Sequence, residues 1–179
     1  MSQAKATSHA QLLALREEFD RDFTQAPSPE NGSIEKLLSI RVGAGSYAMR
    51  VADIGGLYVD RRIVPLPSPV GALLGMAGFR GQIAAVYDLA VLLGYVRQTP
   101  PRWLVLLRER EPVALAFDAF DAHLAVRSEH IFLADQVAAV APAAARPHLN
   151  DAVRTEHALL SIINLTSLLK NIRDQNIRR

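Results

Sequence analysis

The chain has 179 residues, half of them hydrophobic, no cysteine, and 20 Lys and Arg against 18 Asp and Glu, for a net charge of +2. This composition fits one compact domain, or two small lobes sharing a core, and excludes global disorder. Without cysteine there is no disulfide framework, thiolate metal site, iron–sulfur cluster or Cys nucleophile, and no apolar run approaches the ~20 residues of a membrane span.

Leu12, Leu15, Phe19 and Phe23 recur at three- and four-residue steps, with Arg16, Glu17, Glu18, Arg21 and Asp22 on the remaining face. That spacing predicts an amphipathic helix with Ser8 as its cap. Pro27, Ser28, Pro29, Asn31 and Gly32 end it and predict a linker, so residues 1–33 stand apart as helix plus linker. A lone helix of this length is marginal in water, so its apolar stripe is expected to dock, on its own barrel, on a partner or on a second copy.

From residue 34 the pattern changes to short strands. Leu37 to Val42 and Tyr47 to Val51 flank Gly43-Ala44-Gly45-Ser46, a hairpin signal. Ala52 to Leu57 reads as a brief helical turn released by Gly55-Gly56. Arg62 to Leu66 reads as a short edge strand, because Pro65, Pro67 and Pro69 cannot donate to a central ladder. Leu73 to Phe79 and Gln82 to Tyr87 pair about Arg80-Gly81, and Asp88 to Leu93 forms a short helix that Gly94 closes. Trp103 to Leu107 and Val113 to Phe117 pair across the charged turn Arg108-Glu109-Arg110-Glu111. Leu124 to Val126 and Ile131 to Leu133 follow as strands. Residues 137–147, rich in Ala and Pro, read as a surface excursion, with an Ala-rich strand as the alternative. Ala152 to Arg154 and Ala158 to Ile163 are the last strands, and an amphipathic helix from Asn164 to Ile172 runs into a basic tail, 171–179. About ten short strands and few helices predict a mainly β protein built from barrels or sandwiches.

Reactive chemistry is missing from this pattern. His9, His123, His130, His148 and His157 are scattered, with no pair at ligand spacing, and read as isolated surface imidazoles. Ser46 fits no nucleophile motif, and the glycine-rich stretch from Gly71 to Gly81 lacks the ending of a phosphate loop. Asp118 and Asp121 form the one weak carboxylate pair, and nothing converges on an acid–base dyad. No catalytic residue, metal site or cofactor is expected.

A sequence pI of about 9.2 hints at nucleic acid. Residues 1–33 carry −2, residues 34–164 carry +1, and residues 165–179 carry +3. The basicity is therefore concentrated in the tail, and Arg61-Arg62 reads as a solvated turn. No strand alternates aromatic and basic residues as a base-stacking platform does. Arg80 is the singular residue: an arginine at a tight turn, with glycines at 75, 78 and 81 that let the backbone bend and approach closely. A guanidinium on a rigid hairpin suits recognition of carboxylates or carbonyls.

Leu74 to Leu89, LGMAGFRGQIAAVYDL, resembles the CheW family of adaptor proteins in bacterial chemotaxis arrays. Tyr47 to Val51, Ile54 to Leu57, Val64-Pro65, Val113 to Asp118 and Leu159 to Leu169 resemble further landmarks of that family in the same order. The likeness spans about residues 34–170. It implies two small five-stranded, SH3-like β-barrels around a shared core, in a non-catalytic cytoplasmic adaptor. The implied partners are a chemoreceptor cytoplasmic hairpin and the regulatory domain of a CheA-type histidine kinase, with the membrane involved only through the receptors and with no nucleic acid. The residues it points to as the partner interface are Ile54, Leu57, Gly75, Phe79, Arg80 and Gly81. The sequence departs from the family at Gly56, where a glutamate is usual, at Gly78 for asparagine, at Ala85 for proline and at Arg50 for an acid. These departures suit a divergent pathway. A nucleic-acid-binding or generic interaction barrel is the alternative, and a kinase regulatory domain standing alone is the variant within the same fold.

Overall fold

The computed structural model describes residues 33–97, 99–133, 141–155 and 158–177, the side chains of 176 and 177 excepted. The expected N-terminal helix, with Leu12, Leu15, Phe19 and Phe23, lies outside the described residues, as do the linker up to Gly32 and Arg178-Arg179.

Among the described residues eleven strands form two sheets. The first combines β1 (Ile34–Val42), β2 (Gly45–Arg50), β8 (Ala119–Arg127), β9 (Ile131–Leu133), β10 (Leu149–Arg154) and β11 (Leu159–Ile163), in the order β8-β1-β2-β11-β10-β9. The second combines β3 (Ile54–Val59), β4 (Leu73–Phe79), β5 (Gln82–Asp88), β6 (Trp103–Leu107) and β7 (Val113–Phe117), in the order β3-β6-β7-β5-β4. Where the resemblance implied five strands on each side, the first sheet has six. After β8 the chain makes one 3₁₀ turn at Ser128–His130 and supplies the three-residue β9 to the far edge. The chain leaves the first sheet through a 3₁₀ turn at Val51–Asp53 and returns to it through Asp118 alone. The Asp118 carboxylate accepts the amide N–H of Gly43 at 2.6 Å, tying that crossing to the β1–β2 turn.

Three apolar clusters explain the strand sequences. Leu37, Ala48, Val153, Leu160 and Ile162 fill the first sheet, and Ala77, Phe79, Ala84, Val86, Leu104, Leu106, Ala114 and Ala116 fill the second. A larger cluster joins the two, with Leu38, Ile40 and Met49 facing Val105, Leu115 and Phe117. β7 shows the logic: all five of its residues are buried, the small Ala114 and Ala116 inside their own sheet and the large Val113, Leu115 and Phe117 in the shared core. A strand covered on both faces reads as a continuous apolar run. Two helices close the shared core. α1 (Leu89–Leu92) is capped by Asp88, whose buried carboxylate accepts from the amides of Ala90 and Val91 and pairs with Arg97. α2 (Leu165–Ile177) sets Leu165, Leu168, Leu169 and Ile172 on the core, the i, i+3, i+4, i+7 stripe of a docked helix.

Several expectations change. Ile54 to Leu57 is strand rather than turn: it pairs with β6, Leu57 opposite Val105, and the helical turn covers only Val51–Asp53. Arg62 to Leu66 makes a single bridge, Val64 to Met76, because the prolines leave no second donor in line. β8 runs nine residues where three were expected, since its alternating exposed and half-buried residues pair along β1, with one bulge at Asp121. α2 continues to Ile177, so most of the expected tail is helical. His148 is buried rather than a surface imidazole, and Ala145 in the Ala/Pro-rich stretch lies in the shared core. Among the other histidines described, His123 and His130 are exposed as expected.

Candidate protein-interaction surface

β4 and β5 meet at Arg80-Gly81, flanked by the Phe79–Gln82 pair. Arg80 has φ +46° and Gly81 φ +87°. Positive φ at both central residues matches the right-handed twist of a hairpin, and glycine accepts it without strain. Arginine does not: a left-handed residue with a Cβ costs about 1–2 kcal/mol. The hairpin therefore fixes the point from which an exposed arginine side chain leaves the turn, and among the described residues Arg80 has no carboxylate partner.

The rest of the expected interface separates into surface and support. Phe79 is fully buried and packs edge-on against Tyr58, ring centroids 4.9 Å apart. Ile54 is buried in the shared core. Neither side chain reaches a partner; they fix the strands that do. Gly75, buried, has φ +144°, and a Cβ there would meet the Val64 carbonyl oxygen at 2.0 Å. The glycine is demanded by that close approach, where Val64 and Met76 exchange backbone hydrogen bonds of 2.8 and 2.9 Å. Gly78 behaves differently from the expectation of tight approach: a Cβ there would meet nothing within 4 Å. Leu57 is half-buried, and Arg80 and Gly81 are exposed. Ile54 and Leu57 lie on β3 and Gly75 on β4, the two outer strands in the hydrogen-bonded order of the second sheet, and Arg80 sits in the turn that follows β4. The Val64–Met76 bridge ties the chain just after β3 to β4, and the Tyr58–Phe79 contact joins the two sides.

Two departures noted in the sequence acquire physical causes. At Gly56 a Cβ would strike the Tyr58 ring, with its Cε2 and hydroxyl both 2.9 Å away, so Tyr58 takes the space a longer residue would use. The Tyr58 hydroxyl is buried without a hydrogen-bond partner among the described residues. Arg50 joins three strands, donating to Glu35 at 3.0 Å and Asp151 at 2.5 Å. Burial works against its charge, and the hydrogen bonds to Asp151 and Glu35 outweigh that and raise its pKa.

Clefts at the junction of the sheets are lined by other residues. One, of about 230 Å³, lies among Arg41, Gly43, Val96, Arg97 and Asp118. Another, of about 570 Å³, is lined by Tyr47, Tyr95, Pro142, Arg146 and Ser161. The Tyr47 and Tyr95 hydroxyls lie 2.7 Å apart, and burial, then that hydrogen bond, push the Tyr47 phenol well above its usual range. Asp118 and Asp121 do not form a dyad: Asp118 takes the Gly43 amide and Asp121 pairs with Arg41 at 2.9 Å. Among the described residues no group of three His, Asp or Glu is placed to hold a metal ion, and no helix is long and apolar enough to cross a membrane. The sequence did not signal the buried roles of Asp88 and His148. An aspartate opening an apolar run was the available sign for the first, and the second had none.

The model of the CheW-like domain family matches residues 36–173. The crystal structure of the scaffolding protein TtCheW from Thermoanaerobacter tengcongensis is similar in fold, with a TM-score of 0.64 at 16% identity, covering 73% of this chain and 89% of that one. No curated protein matches the chain.

Proposed function

The chain belongs to the CheW-like domain family, and from that membership we propose that it is a non-catalytic cytoplasmic adaptor. It couples the cytoplasmic tips of chemoreceptors to a CheA-type histidine kinase, in chemotaxis or a divergent motility pathway. In this reading the two sheets are a pair of SH3-like barrels, residues 34–170 are the adaptor domain, and residues 1–33 add an amphipathic helix and a linker. Support comes from the family match over 36–173. The observation that carries the reading in this chain is the Arg80-Gly81 hairpin, an exposed arginine on a backbone in the left-handed region at the end of an outer strand. Interfaces favour arginine, because its planar fork binds carboxylates or carbonyls through two donors at once. Leu57 and Gly81 extend the contact surface, and Ile54, Gly75 and Phe79 position it.

The test is binding of the full-length chain to a receptor cytoplasmic fragment and to the regulatory domain of a CheA-type kinase. Both are expected to bind, and Arg80→Glu is expected to weaken the receptor arm at unchanged melting temperature. Binding to neither partner overturns the reading. So does sequence-specific DNA binding with a steep salt dependence.

A further inference from the structure

The cleft of about 570 Å³ at the junction of the sheets has a polar floor that the coupling surface does not use. Strand register explains how that floor arises. Ser161 on β11 stands beside Tyr47 on β2 in the parallel pairing, so the two side chains share a face. Leu160 and Ile162, on either side of Ser161, turn into the first sheet, which sends Ser161 toward the junction together with Tyr47. Tyr95 arrives from the segment after α1, and its hydroxyl lies 2.7 Å from that of Tyr47. Two glycines of the β1–β2 turn make room for it. A Cβ at Gly43 would meet the Tyr95 ring at 2.7 Å, and one at Gly45 the Tyr95 hydroxyl at 2.6 Å.

The opposite wall, Ala141 to Arg146, is anchored. Ala145 lies in the shared core, and the amides of Ala145 and Arg146 donate to the Pro142 carbonyl at 2.9 and 3.3 Å. Arg146 donates through Nε to the Ala141 carbonyl at 3.2 Å and brings its guanidinium to the rim. The lining has three properties that suit a ligand. Ser161 is 4% exposed, and its hydroxyl, on the cleft, has no hydrogen-bond partner among the described residues. A hydroxyl so placed is costly to leave unpaired. The two tyrosines spend one O–H on each other and keep one to donate, and burial together with that bond keeps the Tyr47 phenol protonated. Among the described residues no Asp or Glu lines the cleft, and Arg146 gives it a positive charge.

We propose that this cleft binds a small organic carboxylate. Its oxygens accept from the Ser161 hydroxyl and from the O–H that the tyrosine pair leaves over, under the positive charge of Arg146, and its hydrocarbon part lies against Pro142 and Leu159. Ligand clefts run from about 300 to 1,000 Å³, so the volume suits such a molecule. A cation finds no counter-charge here, and inorganic phosphate makes no use of the apolar wall. Tyr47 and Ser161 belong to the first sheet and Tyr95 follows β5 and α1, so the bound carboxylate ties the two sheets together. Ile54, Leu57 and Arg80 take no part, and the inference stands apart from the coupling reading.

The test titrates the full-length chain with benzoate, benzamide, benzylamine and inorganic phosphate, following amide chemical shifts and the melting temperature. Benzoate is expected to saturate in the millimolar range usual for so small a ligand, to move the signals of Tyr47, Tyr95 and Ser161, and to raise the melting temperature. Ser161→Ala and Tyr95→Phe should each weaken it by roughly fivefold or more. Ala143→Trp, which fills the cleft from an exposed position, should do the same, and Lys36→Gln, exposed on β1, should not. Melting temperatures of the unliganded variants confirm folding. Benzamide, benzylamine or phosphate binding as tightly as benzoate, an unchanged benzoate affinity in Ser161→Ala or in Ala143→Trp, or no saturable benzoate binding overturns the proposal.

Discussion

Gly75→Ala tests whether the second sheet is closed by a contact that only glycine permits. The added Cβ would lie 2.0 Å from the Val64 oxygen, 2.7 Å from its carbonyl carbon and 2.8 Å from the Pro65 Cα, all of them backbone atoms with no rotamer to escape into. Ordinary contact begins near 3.4 Å, so the 64–65 segment must retreat by more than an ångström. That distance breaks both hydrogen bonds of the Val64–Met76 bridge, at a net cost of about 0.5–1.5 kcal/mol each. Holding alanine at a φ of +144° adds about 1–3 kcal/mol. The sum centres near 4 kcal/mol, a large share of the about 5–15 kcal/mol that holds a domain together. At this chain length it lowers the melting temperature by roughly 8–16 °C. Gly78→Ala, three residues along the same strand, is the control. Its Cβ enters open space at an ordinary φ, and the loss of unfolded-state entropy should raise stability by up to about 1 kcal/mol. Urea unfolding and thermal melts of the two variants measure the difference. A Gly75→Ala protein that melts within about 2 °C of the native chain refutes the reasoning.

Arg80→Gly should remove the left-handed strain and leave the melting temperature equal or slightly higher, while weakening receptor-fragment binding; a loss of stability would mean the side chain has a structural partner. Asp88→Ala should cost about 3 kcal/mol in urea unfolding, because it removes two amide caps of α1 and leaves Arg97 unpaired, and Asp88→Asn, which keeps the cap, should recover part of that. Burial lowers the His148 pKa below 6.5, so the unfolded chain binds more protons there, and stability present at pH 7 is lost as pH falls through about 6.5 toward the native value. Unfolding midpoints at about pH 7.5 and about pH 5.5 measure this; the decline should shrink in His148→Gln, and an equal decline in that variant would assign it to other groups.

The elements that could be read from the sequence are those whose pairing is local. β4 with β5 and β6 with β7 were bounded to within a residue, because each hairpin carries its own apolar run and its own turn residues. β3 was read as a turn because Gly55-Gly56 are poor strand formers; its strand exists through pairing with β6, some fifty residues on, which no local window contains. His148 follows the same rule. Its Nδ1 lies 2.8 Å from the Ser167 hydroxyl and its Nε2 3.3 Å from the Asn171 amide, partners that α2 brings across the 3₁₀ turn at Arg146–His148. A histidine beside Pro147 in an alanine-rich stretch shows none of this in one dimension.

The interaction surface was legible only in part, and the division is physical. Arg80 stood out because its turn is built from its immediate neighbours, glycine and two short apolar strands. Arg61 and Arg62 read as a solvated turn and both are exposed, but the seat of the Arg61 guanidinium over the Tyr58 ring depends on where the pairing of β3 with β6 places that ring. The close approach at Gly75 acts from beneath the surface: it seats β4, whose end leads into the Arg80-Gly81 turn, so Gly75→Ala should weaken receptor-fragment binding together with the melting temperature, while Arg80→Glu should weaken it at an unchanged one.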